Sequence, residues 1–66
     1  MVIGEIIKML RQEHNMTQTE LAKLLFTSQD TISLWERGKS LPDIKSVIIM
    51  TKIFDVTADF LLGLED

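Results

Sequence analysis

The sequence predicts an all-α fold of five helices. Apolar residues recur at helical spacing, three segments open on good N-cap residues, and no stretch alternates with the two-residue period of a strand. Ile3, Ile7 and Leu10 stand at i, i+4 and i+7, one face of a first helix whose pattern ends near His14-Asn15. Thr17 caps the next segment and Glu20, three residues on, completes a capping box. That second helix runs roughly from Gln18 to Leu25, with Leu21, Ala22, Leu24 and Leu25 as its apolar face. Ser28 is a further N-cap, opening a short third helix from Gln29 to Glu36 with Ile32 and Trp35 turned inward and Gly38 as terminator. Leu41-Pro42-Asp43 is a turn, and Asp43 caps a strongly apolar fourth helix from Ile44 to Phe54. Thr57 and Phe60-Leu61-Leu62 before Gly63 fit a short fifth.

Sixty-six residues make one domain, residues 1–66, near the lower size limit, where folding buries only about 60% of the chain's surface. A 45% hydrophobic composition with three Gly and one Pro argues for a packed core and against disorder or low complexity. No stretch approaches the roughly 18 apolar residues of a membrane span, and Met1-Val2-Ile3-Gly4-Glu5 lacks the basic start of a secretory signal, so the expected location is the cytoplasm, with no membrane partner. The absence of Cys removes disulfides and thiolate metal sites. A lone His14 without Cys reads as an exposed helix-end residue, so neither a metal nor a His-based dyad is expected. The glycines at 4, 38 and 63 are too far apart for a phosphate loop. No catalytic residue, cofactor or small-molecule substrate is expected, and an enzyme is the least supported class.

A net charge of −3 speaks against a nucleic-acid partner, since such proteins usually carry a basic excess. The distribution weakens that objection. Asp55, Asp59, Glu65 and Asp66 crowd the last twelve residues, whereas residues 1–54 hold seven Lys and Arg against six Asp and Glu.

Helices two and three have the requirements of a helix-turn-helix, in which two short helices lock at a steep angle so that the second can enter the major groove. Ala22 is the small residue that permits close approach, Leu21 and Leu25 are the contacts of the first helix, and Ile32 and Trp35 those of the second. With these in place, the chain resembles the lambda-repressor-like family that includes Cro and the xenobiotic-response-element regulators. The resemblance rests on Ile3-Gly4-Glu5 through Arg11, Thr17-Gln18-Thr19-Glu20-Leu21-Ala22, Thr31-Ile32-Ser33, Trp35-Glu36-Arg37-Gly38-Lys39, Pro42, Val56-Thr57 and Phe60-Leu61. It covers nearly the whole chain.

What the resemblance implies is a compact five-helix DNA-binding domain that docks as a homodimer on a two-fold symmetric, double-stranded operator and represses transcription. Gln18 falls where the family anchors to phosphate and braces the glutamine of helix three; Gln29 matches the base-reading position; Asp30 and Leu34 match positions that face the groove. Arg37, Lys39 and Ser40 fall where phosphates are contacted, and Ser28 and Ser33 complete the candidate DNA-binding set. Arg11 and Glu36 match a structural ion pair between helices one and three. Two positions depart from the family. Phe26 stands where Gly is preferred in the turn and Thr27 where a Val-like residue is, so the turn is either of another type or strained. Asp30 is the other oddity, a carboxylate useful near DNA mainly as an acceptor from a cytosine or adenine amino group.

Plainer readings stand beside these. Gln29 alone would be an exposed polar residue, Arg37 and Lys39 suit the C-terminal end of a helix dipole, and Trp35, three residues from Ile32, belongs to the core rather than to base stacking. A second function class, a protein-interaction module such as an antitoxin, controller subunit or assembly adaptor, is consistent with the acidic end. Ile49 and Ile53 with Leu62 and Leu64 supply an apolar stripe for a dimer, with Ile6 and Met9 as an alternative patch, unless Leu62 and Leu64 fold back over helix four.

Overall fold

A computed structural model describes residues 2–65. It contains α1 Ile3–Glu13, α2 Gln18–Leu24, α3 Gln29–Glu36, α4 Ile44–Phe54 and α5 Ala58–Leu61, with no strand among the described residues. Among the described residues no helix is long and apolar enough to cross a membrane.

The starts of four helices follow from side chains that satisfy orphan backbone donors. Thr17 Oγ1 accepts from the Glu20 N–H at 3.0 Å while Glu20 Oε1 accepts from the Thr17 N–H at 2.8 Å, a reciprocal capping box. Ser28 Oγ accepts from the Thr31 N–H at 3.2 Å, Asp43 Oδ2 from the Ser46 N–H at 3.2 Å and Thr57 Oγ1 from the Phe60 N–H at 3.0 Å. The Thr17 N–H holds the Glu20 carboxyl below its usual range, and the Ser46 hydroxyl, then its N–H, do the same for Asp43. Both pKa values are lowered by folding, so the stability these groups contribute is present above the ordinary carboxylate range and is lost as pH falls through the folded-state values.

The helix ends share one device. Asn15, Phe26, Gly38, Asp55 and Gly63 all have positive φ, and the residue after each donates its N–H to a carbonyl five residues back. The bonds are Met16 to Arg11 at 3.0 Å, Thr27 to Ala22 at 3.0 Å, Lys39 to Leu34 at 2.9 Å, Val56 to Thr51 at 3.1 Å and Leu64 to Asp59 at 2.8 Å. This is the six-to-one closure of a Schellman-type terminus, in which a left-handed residue lets the chain turn back over the last carbonyls. Gly bears that conformation without cost, and Asn and Asp bear it readily, whereas Phe does not. The turn between α2 and α3 therefore keeps the left-handed type despite Phe26, at φ 57°, with its ring 85% exposed.

The core gathers Ile7 and Leu10 from α1, Leu21 and Ala22 from α2, Ile32 and Trp35 from α3, Met50 and Phe54 from α4 and Leu61 from α5. α2 and α1 both pack on α3, and α5 packs on α4 and α1. Gly4 marks the tightest approach. A Cβ there would lie 2.1 Å from the Trp35 carbonyl oxygen, a backbone atom that cannot rotate away, so only glycine lets α1 lie this close to the end of α3. His14 is exposed at the end of α1, its ring 5.0 Å from that of Phe54 in an edge arrangement.

Several surface expectations need correction. Leu24 is exposed rather than part of the inner face of α2, which Leu21, Ala22 and the following Leu25 occupy. Ile6 is buried and Met9 packs against the core, so they form no surface patch. Ile49 and Ile53 are half-buried against the chain's own core; because Val47, Met50 and Phe54 fix the inward face of α4, the outward apolar pair is Ile44 and Ile48, at 79% and 51% exposure. Leu62 and Leu64 are exposed, at 42% and 70%.

A polar interaction crosses this apolar interior. Arg11 Nε donates to Glu36 Oε2 at 2.7 Å, Nη2 to Glu36 Oε1 at 3.0 Å, and Nη1 to the Met16 carbonyl at 2.7 Å. The side chains of Arg11 and Glu36 are 11% and 3% exposed. Hydrogen bonding to Glu36 holds the guanidinium pKa above its ordinary value. The forked pairing leaves Arg11 joined to α3 and to the α1–α2 turn at once.

Two substitutions test these points. Arg11→Ala strands a carboxylate that is nearly inaccessible, at a cost of about 3–5 kcal/mol, comparable with the whole stability of a small domain. Its circular dichroism should show a largely unfolded chain at 37 °C; melting within a few degrees of the parent would make the pair a weak surface contact. Phe26→Gly removes about 1–2 kcal/mol of left-handed strain and returns about 0.4–1 kcal/mol through the looser unfolded chain. The midpoint should rise by several degrees, since about 1 kcal/mol shifts Tm by roughly 4–8 °C at this size. A lower Tm would mean that the Phe26 ring contributes packing worth more than the strain.

Candidate nucleic-acid interface

The candidate surface is the outward side of α3. Burial of Ile32 and Trp35 fixes the helix's rotation, which leaves Gln29, Asp30, Leu34 and Arg37 exposed and Ser33 half-exposed. These positions share one face at helical spacing. Lys39 and Ser40 lie exposed in the turn beyond, where the closure at Gly38 sends the chain away from the helix axis. Arg37 Nε donates to Ser33 Oγ at 3.1 Å, and Ser28 Oγ, already capping the helix, lies 2.8 Å from Thr31 Oγ1.

Charge along the helix runs with its dipole. Asp30 occupies the first turn, where the positive N-terminal end favours an acid, and Arg37 and Lys39 follow the last turn, where a cation is favoured. The end carrying Arg37, Lys39 and Ser40 therefore suits an anionic backbone. Asp30 beside Gln29 suits hydrogen-bond donors instead.

Gln18 and Gln29 come from different helices and meet here. Gln29 Nε2 donates to Gln18 Oε1 at 2.6 Å, and Gln18 Nε2 donates in turn to Glu36 Oε1 at 3.0 Å. The exposed end of α3 is thus tied through Gln18 to the buried pair formed by Glu36 and Arg11. The structure brings Arg11, Gln18, Gln29 and Glu36 into one chain of side chains, and sets Asp30, Ser33, Leu34, Arg37, Lys39 and Ser40 on the adjoining surface. Ile49 and Ile53, half-buried on α4, and Leu62 and Leu64, exposed after α5, are not part of this face.

Two contributors were not foreseen in the sequence. The bond from Gln18 to Glu36 joins residues eighteen apart on different helices, and no periodicity in one dimension marks such a pair. Gly4 stands in the sequence within the Ile3-Gly4-Glu5 segment of the family resemblance, and its role lies in the carbonyl it faces, which only the fold reveals. Among the described residues no group of His, Cys, Asp and Glu could hold a metal ion.

A helix-turn-helix family model matches residues 7–61. The chain is 41% identical over 66 residues to the HTH-type transcriptional activator BcrR of Enterococcus faecalis, an alignment covering all of this chain and 32% of that protein. It is 37% identical over 67 aligned positions to the HTH-type transcriptional regulator DicA of Escherichia coli, covering all of this chain and 50% of the relative. The chain therefore spans about a third to a half of the length of these relatives. The P22 c2 repressor, solved with a synthetic operator, superimposes with a TM-score of 0.90 at 28% identity over 98% of both chains. With the family match spanning most of its length and the five-helix architecture shared with that repressor, the chain belongs to the lambda-repressor-like, XRE-type helix-turn-helix family.

Proposed function

We propose that this domain binds double-stranded DNA in a sequence-specific manner and regulates transcription, acting in the cytoplasm as a homodimeric repressor on a two-fold symmetric operator. The observation that carries the reading is the exposed amide of Gln29, held at the N-terminal end of α3 by Gln18. Groove-docking helices present that end to base edges, and an immobilised glutamine there has little side-chain entropy left to lose. The P22 c2 repressor, whose fold this chain shares, is solved on an operator, and BcrR and DicA are named as transcriptional regulators. BcrR is named an activator; repression is preferred here because occupying a promoter requires only this docking surface.

In this reading Gln29 and Asp30 face base edges, Leu34 and Ser33 line the groove, and Gln18, Ser28, Arg37, Lys39 and Ser40 approach the phosphates. Six Lys and Arg lie outside the Arg11 pair, which predicts a shallow salt dependence for a repressor. Residues 1–66 act as one DNA-binding domain. The dimer forms through α4 and the C-terminal segment, where Ile44, Ile48, Leu62 and Leu64 are exposed apolar side chains and Ile49 and Ile53 are half-buried.

Reading and sticking separate in two mutants. Gln29→Ala should cost about 1–3 kcal/mol at one position per half-site and leave non-specific binding intact. Lys39→Ala should weaken all duplexes alike and reduce the salt slope by about 1 for each phosphate no longer neutralised, or about 2 for a dimer. Selection from random duplexes followed by gel-shift titration at several salt concentrations measures both. If selection enriches no duplex, the regulator reading fails and a protein-interaction role replaces it.

The dimer is tested by Ile44→Glu with Ile48→Lys, exposed positions whose replacement leaves the core untouched. Light scattering should report a monomer. A dimer of undiminished affinity would place the interface elsewhere.

A further inference from the structure

We infer that the buried pair of Arg11 and Glu36 sets the base preference of Gln29, by fixing which way round the two glutamine amides lie. The inference rests on the DNA-binding reading above and adds to it the residues that fix the sense of the reading amide. Glutamine carries an acceptor oxygen and a donor nitrogen of nearly equal shape, so a free Gln29 can present either toward the groove. In this protein the choice is made from inside. Both oxygens of Glu36 already accept from Arg11, so the Gln18 atom 3.0 Å from Glu36 Oε1 must be its nitrogen. The other end of the Gln18 amide is then its oxygen, and the Gln29 atom 2.6 Å from it must in turn be a nitrogen. The order is dictated by the carboxylate and passes outward through two amides.

One Nε2 hydrogen of Gln29 is consumed in this chain, which leaves its second N–H and its Oε1 for a ligand. One donor beside one acceptor complements the major-groove edge of adenine, whose N7 accepts and whose N6 amino group donates. Guanine presents two acceptors, N7 and O6, so a Gln29 locked in this sense sets its own oxygen against O6. Arg11, Glu36 and Gln18 are therefore positioning residues for specificity. Arg11 and Glu36 lie too deep to touch DNA, yet they decide between the two purines at the position Gln29 reads.

The test uses the full chain and the duplex enriched from a random pool, with the position read by Gln29 identified by its relaxation in Gln29→Ala. At that position, dissociation constants are measured for A·T and G·C versions. The parent should prefer adenine by about tenfold to a hundredfold. Gln18→Lys, at a half-buried site, replaces the amide with a donor that still satisfies Glu36 but turns Gln29 to face it with its oxygen, presenting both amide hydrogens to the groove. Its added charge raises affinity for every duplex, so the ratio is the readout, and it should invert to favour guanine. In the second variant, Arg11→Met with Glu36→Leu, an apolar pair of similar size replaces the ions, an exchange that cores often tolerate. Its adenine preference should fall below the parent's without inverting, since an unlocked amide can still turn to meet adenine, while the melting temperature is retained. An undiminished adenine preference in Gln18→Lys overturns the inference, whether or not the double variant folds. If Gln29→Ala relaxes no position of an otherwise specific duplex, base reading by Gln29 fails, and this inference falls with it.

Discussion

The guanidinium of Arg11 sits where three parts of the chain converge: its own helix, the turn that follows it, and the end of α3. In a domain of this size the apolar core supplies only a small surplus over conformational entropy, so a charge taken out of water must be fully matched. Here it is matched by a forked carboxylate and a backbone carbonyl, and no buried side-chain nitrogen or oxygen among the described residues lacks a partner. The consequence is geometric as much as energetic. A forked pair tolerates little sliding, so the end of α3 is held at a fixed height against α1, and Gly4 allows the two backbones to meet there. The orientation of the candidate binding face follows from this constraint.

The second constraint is economy of connection. Each helix ends in the same left-handed closure, which reverses the chain in one or two residues and satisfies carbonyls that would otherwise be orphaned. Short reversals keep α2 and α3 close enough for Ala22 to lie in the core beside Ile32 and Trp35. Phe26 shows how strongly closure is favoured. The bond from Thr27 to Ala22 forms at 3.0 Å even though the residue before it must hold a conformation costly for an aromatic, and the ring is left in solvent. Packing of two helices against one core outweighs the local preference of one residue.

Charge and apolar exposure divide the surface. Overall acidity, a poor omen for a phosphate ligand, is concentrated after α4, whereas Arg37 and Lys39 flank the end of α3. The exposed isoleucines of α4 and leucines of the C-terminal segment lie outside the α3 face. A domain can then present polar, partly basic groups to a nucleic acid and apolar ones to a second copy, without either surface compromising the other.

The sequence alone determined much of this. Capping side chains act within three residues of the donors they satisfy, so Thr17, Ser28 and Asp43 announced the starts of α2, α3 and α4, and Gly38 announced the end of α3. Helical periodicity placed Ile7, Leu10, Ile32 and Trp35 inward, and ordered motifs revealed the family. Interactions between residues distant in sequence were decided elsewhere. Whether Ile49 or Ile48 faces solvent depends on which side of an almost wholly apolar helix meets the core, and a pattern without polar residues on a clear face cannot say. The link from Glu36 through Gln18 to Gln29 exists because α2 and α3 bring their side chains to one point, and direction enters it only because the carboxylate oxygens that hold Arg11 act as acceptors.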